Sequence, residues 1–103
     1  MTEDEARRKL DEYRVLIDDV DRRIVQLLNE RTRVVEEIGR VKRESKLPIY
    51  EPKREDQVFA NVTSCNGGPI TPEAVRRIFE RIIDEMRSIQ KQRMISNDGE
   101  KGK

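Results

Sequence analysis

Polar groups lie on or beside apolar helix faces at a few positions in this sequence, where they could bind a small anion. They are Arg31, Lys42, the adjacent pair Arg54 and Glu55, and Gln90. Eleven positions separate Arg31 from Lys42, close to three helical turns, so both side chains project from nearly the same side. Their Cα atoms would lie about 16 Å apart, and side chains reaching about 6 Å could close on opposite ends of a dianion. Gln90 would offer an uncharged donor to the same interior.

An apolar stripe carries Arg31 along the first predicted helix in steps of four and three residues. Its apolar members are Tyr13, Ile17, Val20, Ile24, Leu27, Val34, Ile38 and Val41. A stripe with this spacing is typical of a helix face that packs on a core, and a guanidinium placed there needs an anion as its partner. Because no Asp or Glu lies on the stripe, we expect that anion to be a ligand.

Each of these polar groups also has an ordinary structural interpretation. The stem of Arg31 could cover the edge of a core, and Lys42 lies near a helix end, where cations interact well with the dipole. Arg54 and Glu55 could be surface charges, and Gln90 could be a buried structural amide. We favour a site because a structural protein has little reason to place two cations, an amide and a carboxylate around one volume.

Arg14 adds a geometric argument for a second copy of the chain. It precedes Arg31 by seventeen residues, which places it about 25 Å away along the helix and rotated by roughly 100°. One small ligand cannot touch both side chains of a single helix. If two long helices pack antiparallel in a dimer, however, Arg14 of one copy can approach Arg31 of the other. A solvated arginine on a helix face is the simpler alternative.

Three helices of unequal length are predicted to position these groups. The first covers roughly residues 5–43, which contain no Pro and a single Gly, and Lys46-Leu47-Pro48 ends it. The second begins at Pro52, a residue suited to a first helical turn, and Asn66-Gly67-Gly68 ends it. The third begins after Thr71, which we predict to be its N-cap.

The first helix is too long for the two shorter ones to cover it in a monomer. Self-association through this helix, with twofold symmetry, is the economical remedy, so we expect an all-α fold that forms an intertwined homodimer. The helical domain is expected to span residues 1–95. Residues 96–103 are polar and are expected to form a disordered tail.

Composition argues against several broad classes of protein. The chain has 103 residues, 34% of them hydrophobic and none of them Trp, which predicts one small domain. Its 22 basic and 21 acidic residues leave a net charge of +1, unlike a general binder of nucleic acid or membrane surfaces. No apolar run reaches the roughly 18 residues of a membrane span. A single cysteine, Cys65, and a start without an apolar signal core favour the cytoplasm.

The ordered set of polar residues resembles the all-helical class of chorismate mutase, over roughly residues 8–94. The matching residues are Arg14, Arg31, Lys42, the segment Glu51-Pro52-Lys53-Arg54-Glu55 and Gln90, with Ile17-Asp18-Asp19-Val20-Asp21 and Leu27-Leu28-Asn29-Glu30-Arg31 as similar local sequence. The resemblance implies a domain-swapped homodimer with two equivalent sites. It implies the Claisen rearrangement of chorismate to prephenate, in aromatic amino acid biosynthesis, without a metal or cofactor.

The resemblance also implies how the substrate is held. Arg31, together with Arg14 of the partner subunit, would bind the two carboxylates through the fork geometry of the guanidinium. Lys42 and Gln90 would donate hydrogen bonds to the ether oxygen, where negative charge grows in the transition state.

Further roles are implied near the start of the second helix. Glu55 would be a hydrogen-bond partner of the ring hydroxyl, with Glu51 assisting, and Arg54 would orient these carboxylates and close the site. Two positions depart from the family pattern. Glu51 stands where the family often has Asp, and Met86 stands where a small hydroxyl residue is common, so we expect Met86 to form part of the pocket wall.

Two other functions stay open on the sequence. An isochorismate-pyruvate lyase on the same scaffold would use similar Arg and Lys positions, although the Arg54-Glu55 pair with Glu51 before it favours the mutase. A non-enzymatic dimeric helical interaction module would explain the high charge and the heptad-like stepping. The interaction module predicts that Arg31→Ala leaves the affinity for a dicarboxylate unchanged.

Overall fold

The computed structural model of this chain is all-helical, and it describes the backbone of residues 1–101 and the side chains of residues 1–93. Its helices are α1 (Glu3–Glu44), α2 (Pro52–Ser64) and α3 (Pro72–Lys101). No strand occurs within residues 1–101. The prediction of one very long, one short and one medium helix is therefore confirmed. The chain divides into two compact units, Met1–Arg33 and Val34–Lys103.

Helix α1 is stabilised by the charges at its two ends. Acidic residues occupy its first turn and basic residues, Lys42 and Arg43, its last turn, so both groups interact favourably with the helix dipole. Thr2 precedes the helix, and its Oγ1 accepts a hydrogen bond of 3.2 Å from the backbone N–H of Glu5. This bond satisfies one of the donors that a helix start leaves unpaired.

A Schellman motif ends helix α1. The N–H of Leu47 donates to the carbonyl of Lys42 at 2.8 Å, and the N–H of Lys46 donates to the carbonyl of Arg43 at 3.3 Å. Lys46 adopts a φ of 57°, the left-handed conformation that glycine usually supplies at this position. Pro48 follows directly, so the predicted break in the helix is confirmed.

The starts of α2 and α3 also agree with the sequence analysis. Pro52 opens α2, and Pro72 opens α3. Thr71 is confirmed as the N-cap of α3, because its Oγ1 accepts a hydrogen bond of 3.1 Å from the N–H of Ala74. Its carbonyl also accepts a bond of 3.0 Å from the N–H of Val75.

Helix α3 extends to Lys101, into the segment 96–103 for which the sequence predicts a disordered polar tail. Residues 102–103, and all side chains from residue 94 onward, lie outside the described part of the chain. The domain boundary at residue 95 therefore stays a prediction. Within the described residues, no helix has both the length and the hydropathy that crossing a membrane requires.

The predicted apolar stripe of α1 is exposed in a single chain. Between 42% and 63% of the surface is exposed at Tyr13, Ile17, Val20, Ile24, Leu27, Val34, Ile38 and Val41. The prediction that this stripe faces a core is therefore not met within one chain. The buried residues of α1 are Val35 and Gly39, each one position after a stripe residue. Gln90 of α3 packs on this face of α1 against Gly39, where an added Cβ would stand 3.4 Å from Cγ of Gln90.

The core of the unit Val34–Lys103 is small. Helix α2 packs on α3, and the buried apolar residues come from all three helices: Val35, Phe59, Ile83 and Met86. Gln90 is the buried polar residue among the described side chains. Helix α3 thus turns Ile83, Met86 and Gln90 inward.

Candidate active site

Lys42 is held in place by the loop that follows α1. Its ammonium donates a hydrogen bond of 2.9 Å to the carbonyl oxygen of Ile49. It also lies 3.8 Å from Oε1 of Glu51, and 12% of its side chain is exposed. Because an ammonium carries three N–H donors, Ile49 can fix its direction while another donor remains for a ligand.

Gln90 presents a buried amide beside the last turns of α1. The residue is 8% exposed, and its Oε1 accepts no hydrogen bond from the described residues. An unpaired buried polar atom costs about 1–3 kcal/mol. Rotation about the last side-chain torsion exchanges the amide oxygen and nitrogen with little change of shape, so this position can also present a donor. The amide can therefore form a hydrogen bond with a polar group of a ligand.

Glu55 pairs with an arginine that the sequence analysis did not single out. Nε of Arg87 lies 3.1 Å from Oε2 of Glu55, and 20% of the Glu55 side chain is exposed. Nη2 of Arg87 donates a hydrogen bond of 2.7 Å to Oδ1 of Asp84 on the same helix. The guanidinium carbon also lies 5.3 Å from the centre of the Tyr50 ring. Arg87 thus connects α3 with α2 and with the loop between α1 and α2.

A sequence signal for Arg87 was present. It lies four residues after Ile83 and three before Gln90, both on the buried face of α3. A cation on an apolar face is the criterion that singled out Arg31. Applied to the third helix as well as to the first, the same criterion would have identified Arg87.

A closed series of contacts joins these residues within the unit Val34–Lys103. Each member contacts the next or lies one helical turn from it, and we call the set the polar ring: Lys42, Glu51, Glu55, Arg87, Gln90 and Gly39. Glu51 and Glu55 are joined by a bond of 3.1 Å from the N–H of Glu55 to the carbonyl of Glu51. Gly39 lies close to Gln90 and precedes Lys42 by one turn. The structure therefore brings the predicted residues Lys42, Glu51, Glu55 and Gln90 into one region.

Arg54 and Met86 lie beside this region in different surroundings. Arg54 is exposed, and its Nη1 donates to Oε1 of Gln57 at 3.4 Å. With Tyr50 and Glu51 it lines an open surface depression of about 620 Å³. Met86 is buried one turn before Gln90. The predicted roles of Arg54 in closing the site and of Met86 in its wall stay predictions.

The two remaining predicted residues, Arg14 and Arg31, belong to the unit Met1–Arg33. Arg14 is exposed, and its Nη1 lies 3.3 Å from Oδ1 of Asp11, one turn before it. Arg31 is half-buried, although Leu27 and Val34 on either side of it along the stripe are exposed. Arg31 as a residue is thus more enclosed than its apolar neighbours on the stripe.

Comparison with known proteins agrees with the resemblance seen in the sequence. The model of the chorismate mutase type II family matches residues 13–91. A bifunctional chorismate mutase/prephenate dehydratase of Aquifex aeolicus is 35% identical over 97 residues, which are 90% of this chain and 27% of that protein. The chain thus spans about a quarter of the length of such bifunctional relatives. A chorismate mutase of Methanocaldococcus jannaschii is 28% identical over 85 residues, which are 82% of this chain and 86% of that enzyme.

Solved structures with the same fold lead to the same family. Form II of a chorismate mutase of Thermus thermophilus is 38% identical with a TM-score of 0.78, over 81% of this chain and 94% of that one. A chorismate mutase of Helicobacter pylori, solved in complex with prephenate, is 25% identical with a TM-score of 0.74, over 81% of this chain and 90% of that one. The family match covers most of the chain, and the chain therefore belongs to the chorismate mutase type II family.

Proposed function

We propose that this chain catalyses the rearrangement of chorismate to prephenate. Membership of the chorismate mutase type II family supports the proposal. The observation that carries it is that the largely buried side chain of Lys42 lies one helical turn after Gly39, the residue of α1 against which the buried side chain of Gln90 packs. We infer that both polar groups act on one atom of a small ligand.

The proposed reaction takes place within one substrate molecule. The ether C–O bond breaks while a new C–C bond forms, so the product keeps every atom of the substrate. Negative charge grows on the ether oxygen as its bond to carbon breaks. Donors directed at that oxygen bind the transition state more strongly than the ground state, and this lowers the barrier. Lys42 and Gln90 would be those donors, with no covalent intermediate.

Charge balance supports further cations at the site. In the polar ring, Lys42 and Arg87 are matched by Glu51 and Glu55, which leaves no net positive charge for a dicarboxylate substrate. We therefore assign the substrate carboxylates to Arg31 and to Arg14 of the partner subunit. Guanidinium groups bind carboxylates in a two-point geometry, which would restrict rotation of the substrate and favour its reactive conformer.

The ring hydroxyl of the substrate is assigned to Glu55, with Glu51 beside it. A carboxylate oxygen accepts a hydrogen bond from a hydroxyl, and both residues belong to the polar ring. Arg54, on the exposed first turn of α2, would cover the substrate after it binds. Met86 would form part of the apolar wall.

The exposed stripe of α1 supports a homodimer. A continuous row of large apolar side chains in water is unfavourable, and pairing with a second copy would bury it. If the two α1 helices pack antiparallel along this stripe, Arg14 of the partner subunit would also come within reach of Arg31, since both residues lie on α1. We expect a solution mass near twice that of the chain, and a cytoplasmic location.

The test is to supply the purified chain with chorismate or with isochorismate and to measure prephenate and pyruvate. We expect prephenate from chorismate, and a loss of about 10²-fold or more in kcat/KM for Arg31→Ala while the solution mass is retained. Faster release of pyruvate from isochorismate would assign the chain to the lyase reaction instead. No turnover of either substrate, with unchanged affinity of Arg31→Ala for a dicarboxylate, would favour the interaction module.

A further inference from the structure

Arg87 of α3 contacts Asp84, Tyr50 and Glu55. We propose that Arg87 is a positioning residue that holds the carboxylate of Glu55 for the ring hydroxyl of the substrate, and so makes the enzyme selective for substrates that carry this hydroxyl. The inference rests on the proposed function. Its supporting observations are the contacts, burial and charge of Arg87, Glu55 and their neighbours.

The guanidinium of Arg87 is oriented by groups from three parts of the chain. On its own helix, Asp84 accepts a hydrogen bond of 2.7 Å from Nη2. From the loop between α1 and α2, the ring of Tyr50 lies 5.3 Å away and favours a cation over its face. From α2, the carboxylate of Glu55 lies 3.1 Å from Nε. A cation fixed in this way can fix the carboxylate opposite it.

The pair leaves part of the carboxylate for a ligand. The contact uses Oε2 of Glu55, so Oε1 can accept a hydrogen bond from a hydroxyl. Nε of Arg87 is buried, and at 3.1 Å its N–H is not directed at Oε2 as in a hydrogen bond. The attraction is therefore that of an ion pair, with both side chains largely covered: 34% of Arg87 and 20% of Glu55 is exposed.

Selectivity follows from the position of this carboxylate. A buried acceptor that is built to receive a hydroxyl is left unpaired by a substrate without that group, which discriminates strongly between the two substrates. A carboxylate that rotates freely would discriminate less, because it could turn to water when the hydroxyl is missing. By holding Glu55 in place, Arg87 would lower kcat/KM for a substrate that lacks the hydroxyl.

Arg76 offers a matched control on the same helix. Its guanidinium carbon lies 4.3 Å from the centre of the Phe59 ring, and its Nε lies 3.6 Å from Oε1 of Glu80. Like Arg87 it combines an aromatic ring with a carboxylate. It belongs to no contact of the polar ring, so removing its charge changes packing and surface charge but not Glu55.

The experiment compares Arg87→Met, Arg87→Lys and Arg76→Met in the full chain, with two substrates. One substrate is chorismate, and the other is its analogue in which hydrogen replaces the ring hydroxyl. For Arg87→Met we expect kcat/KM with chorismate to fall about 10- to 100-fold, and with the analogue to rise or to fall by no more than about threefold, because a released Glu55 no longer penalises the missing hydroxyl. Arg87→Lys should recover part of the loss, and Arg76→Met should keep both values.

A second comparison covers the case in which Arg87→Met folds poorly. In chains carrying Glu55→Gln, adding Arg87→Lys should cause no further loss with chorismate, because the carboxylate that Arg87 holds is gone. Equal losses with both substrates, no loss with either, or full additivity with Glu55→Gln would each overturn the inference. Failure of the parent protein to convert chorismate would instead overturn the proposed function, which separates the two conclusions.

Discussion

Gly39 lies directly against the side chain of Gln90, so closely that a Cβ placed on Gly39 would stand 3.4 Å from Cγ of the glutamine. This distance is at the lower limit of ordinary van der Waals contact. A single methyl group therefore fits, whereas we expect the larger, branched side chain of valine to overpack this position. Gly39 therefore marks the place where the buried side chain of Gln90 packs against α1.

We expect Gly39→Ala and Gly39→Val to affect the protein in opposite directions. Alanine should stabilise α1 by up to about 1 kcal/mol, because glycine is a poor helix former. Valine should destabilise the protein by about 1–3 kcal/mol through overpacking. By displacing Gln90 it should also lower kcat about tenfold or more, whereas alanine lowers kcat much less. Urea unfolding and steady-state kinetics check both results, and equal kcat values for the two variants would contradict this account.

We expect Gln90→Met to be more stable than the parent protein but less active. Methionine has a similar volume and removes the unpaired Oε1, so the free energy of unfolding should rise by about 1 kcal/mol or more. Loss of the amide should lower kcat about 10²-fold. Gln92→Met, at an exposed position of the same helix, is the control and should change neither quantity appreciably. A fall in both activity and stability for Gln90→Met would show that the amide has a structural partner.

Lys42→Met should lower kcat about 10²- to 10³-fold, the usual effect of removing one donor to a developing negative charge. KM should change less, because the interaction is strongest in the transition state. Lys91→Met removes an exposed lysine of α3 and should leave kcat within about twofold. The measurement is the rate of chorismate consumption, with circular dichroism to verify folding. A rise in KM at unchanged kcat would mean that Lys42 binds the substrate uniformly instead.

Lys46→Gly should stabilise the protein by about 1 kcal/mol, because Lys46 occupies a left-handed conformation that glycine adopts without strain. Ser45→Gly is the matched control, since this neighbour does not have a positive φ and should gain nothing from glycine. Thermal unfolding measures both. Activity of Lys46→Gly should equal that of the parent protein, because Lys46 is exposed and lies outside the polar ring.

Much of the fold could be predicted from local sequence signals. Pro48, Pro52 and Thr71 act on the backbone nearest to them, so the end of α1 and the starts of α2 and α3 were placed within a few residues. The buried residues of α1, Val35 and Gly39, each lie one position after a residue of the predicted stripe. The regular spacing of large apolar residues identified the exposed stripe. Gly39 has no side chain, so the same spacing could not identify it as the residue of α1 against which Gln90 packs.

The candidate site was predicted in part for a similar reason. Lys42 could be identified because it projects from nearly the same side of α1 as Arg31, and Gln90 because it lies on the apolar face of α3. Arg87 also lies on an apolar helix face, but it is not among the residues that carry the resemblance to the family. Its pairing with Glu55 joins two residues that lie 32 positions apart on different helices, and no spacing rule within one helix reveals such a contact.

The most direct test of the account mixes two inactive variants, Arg14→Ala and Lys42→Met, and measures prephenate formation. Each variant alone should be nearly inactive. If each site combines Lys42 of one copy with Arg14 of the other, a mixed dimer contains one intact site. Refolding the variants together in equal amounts should then restore about a quarter of the parent activity. Activity that stays at the level of the separate variants would contradict a site shared between two copies.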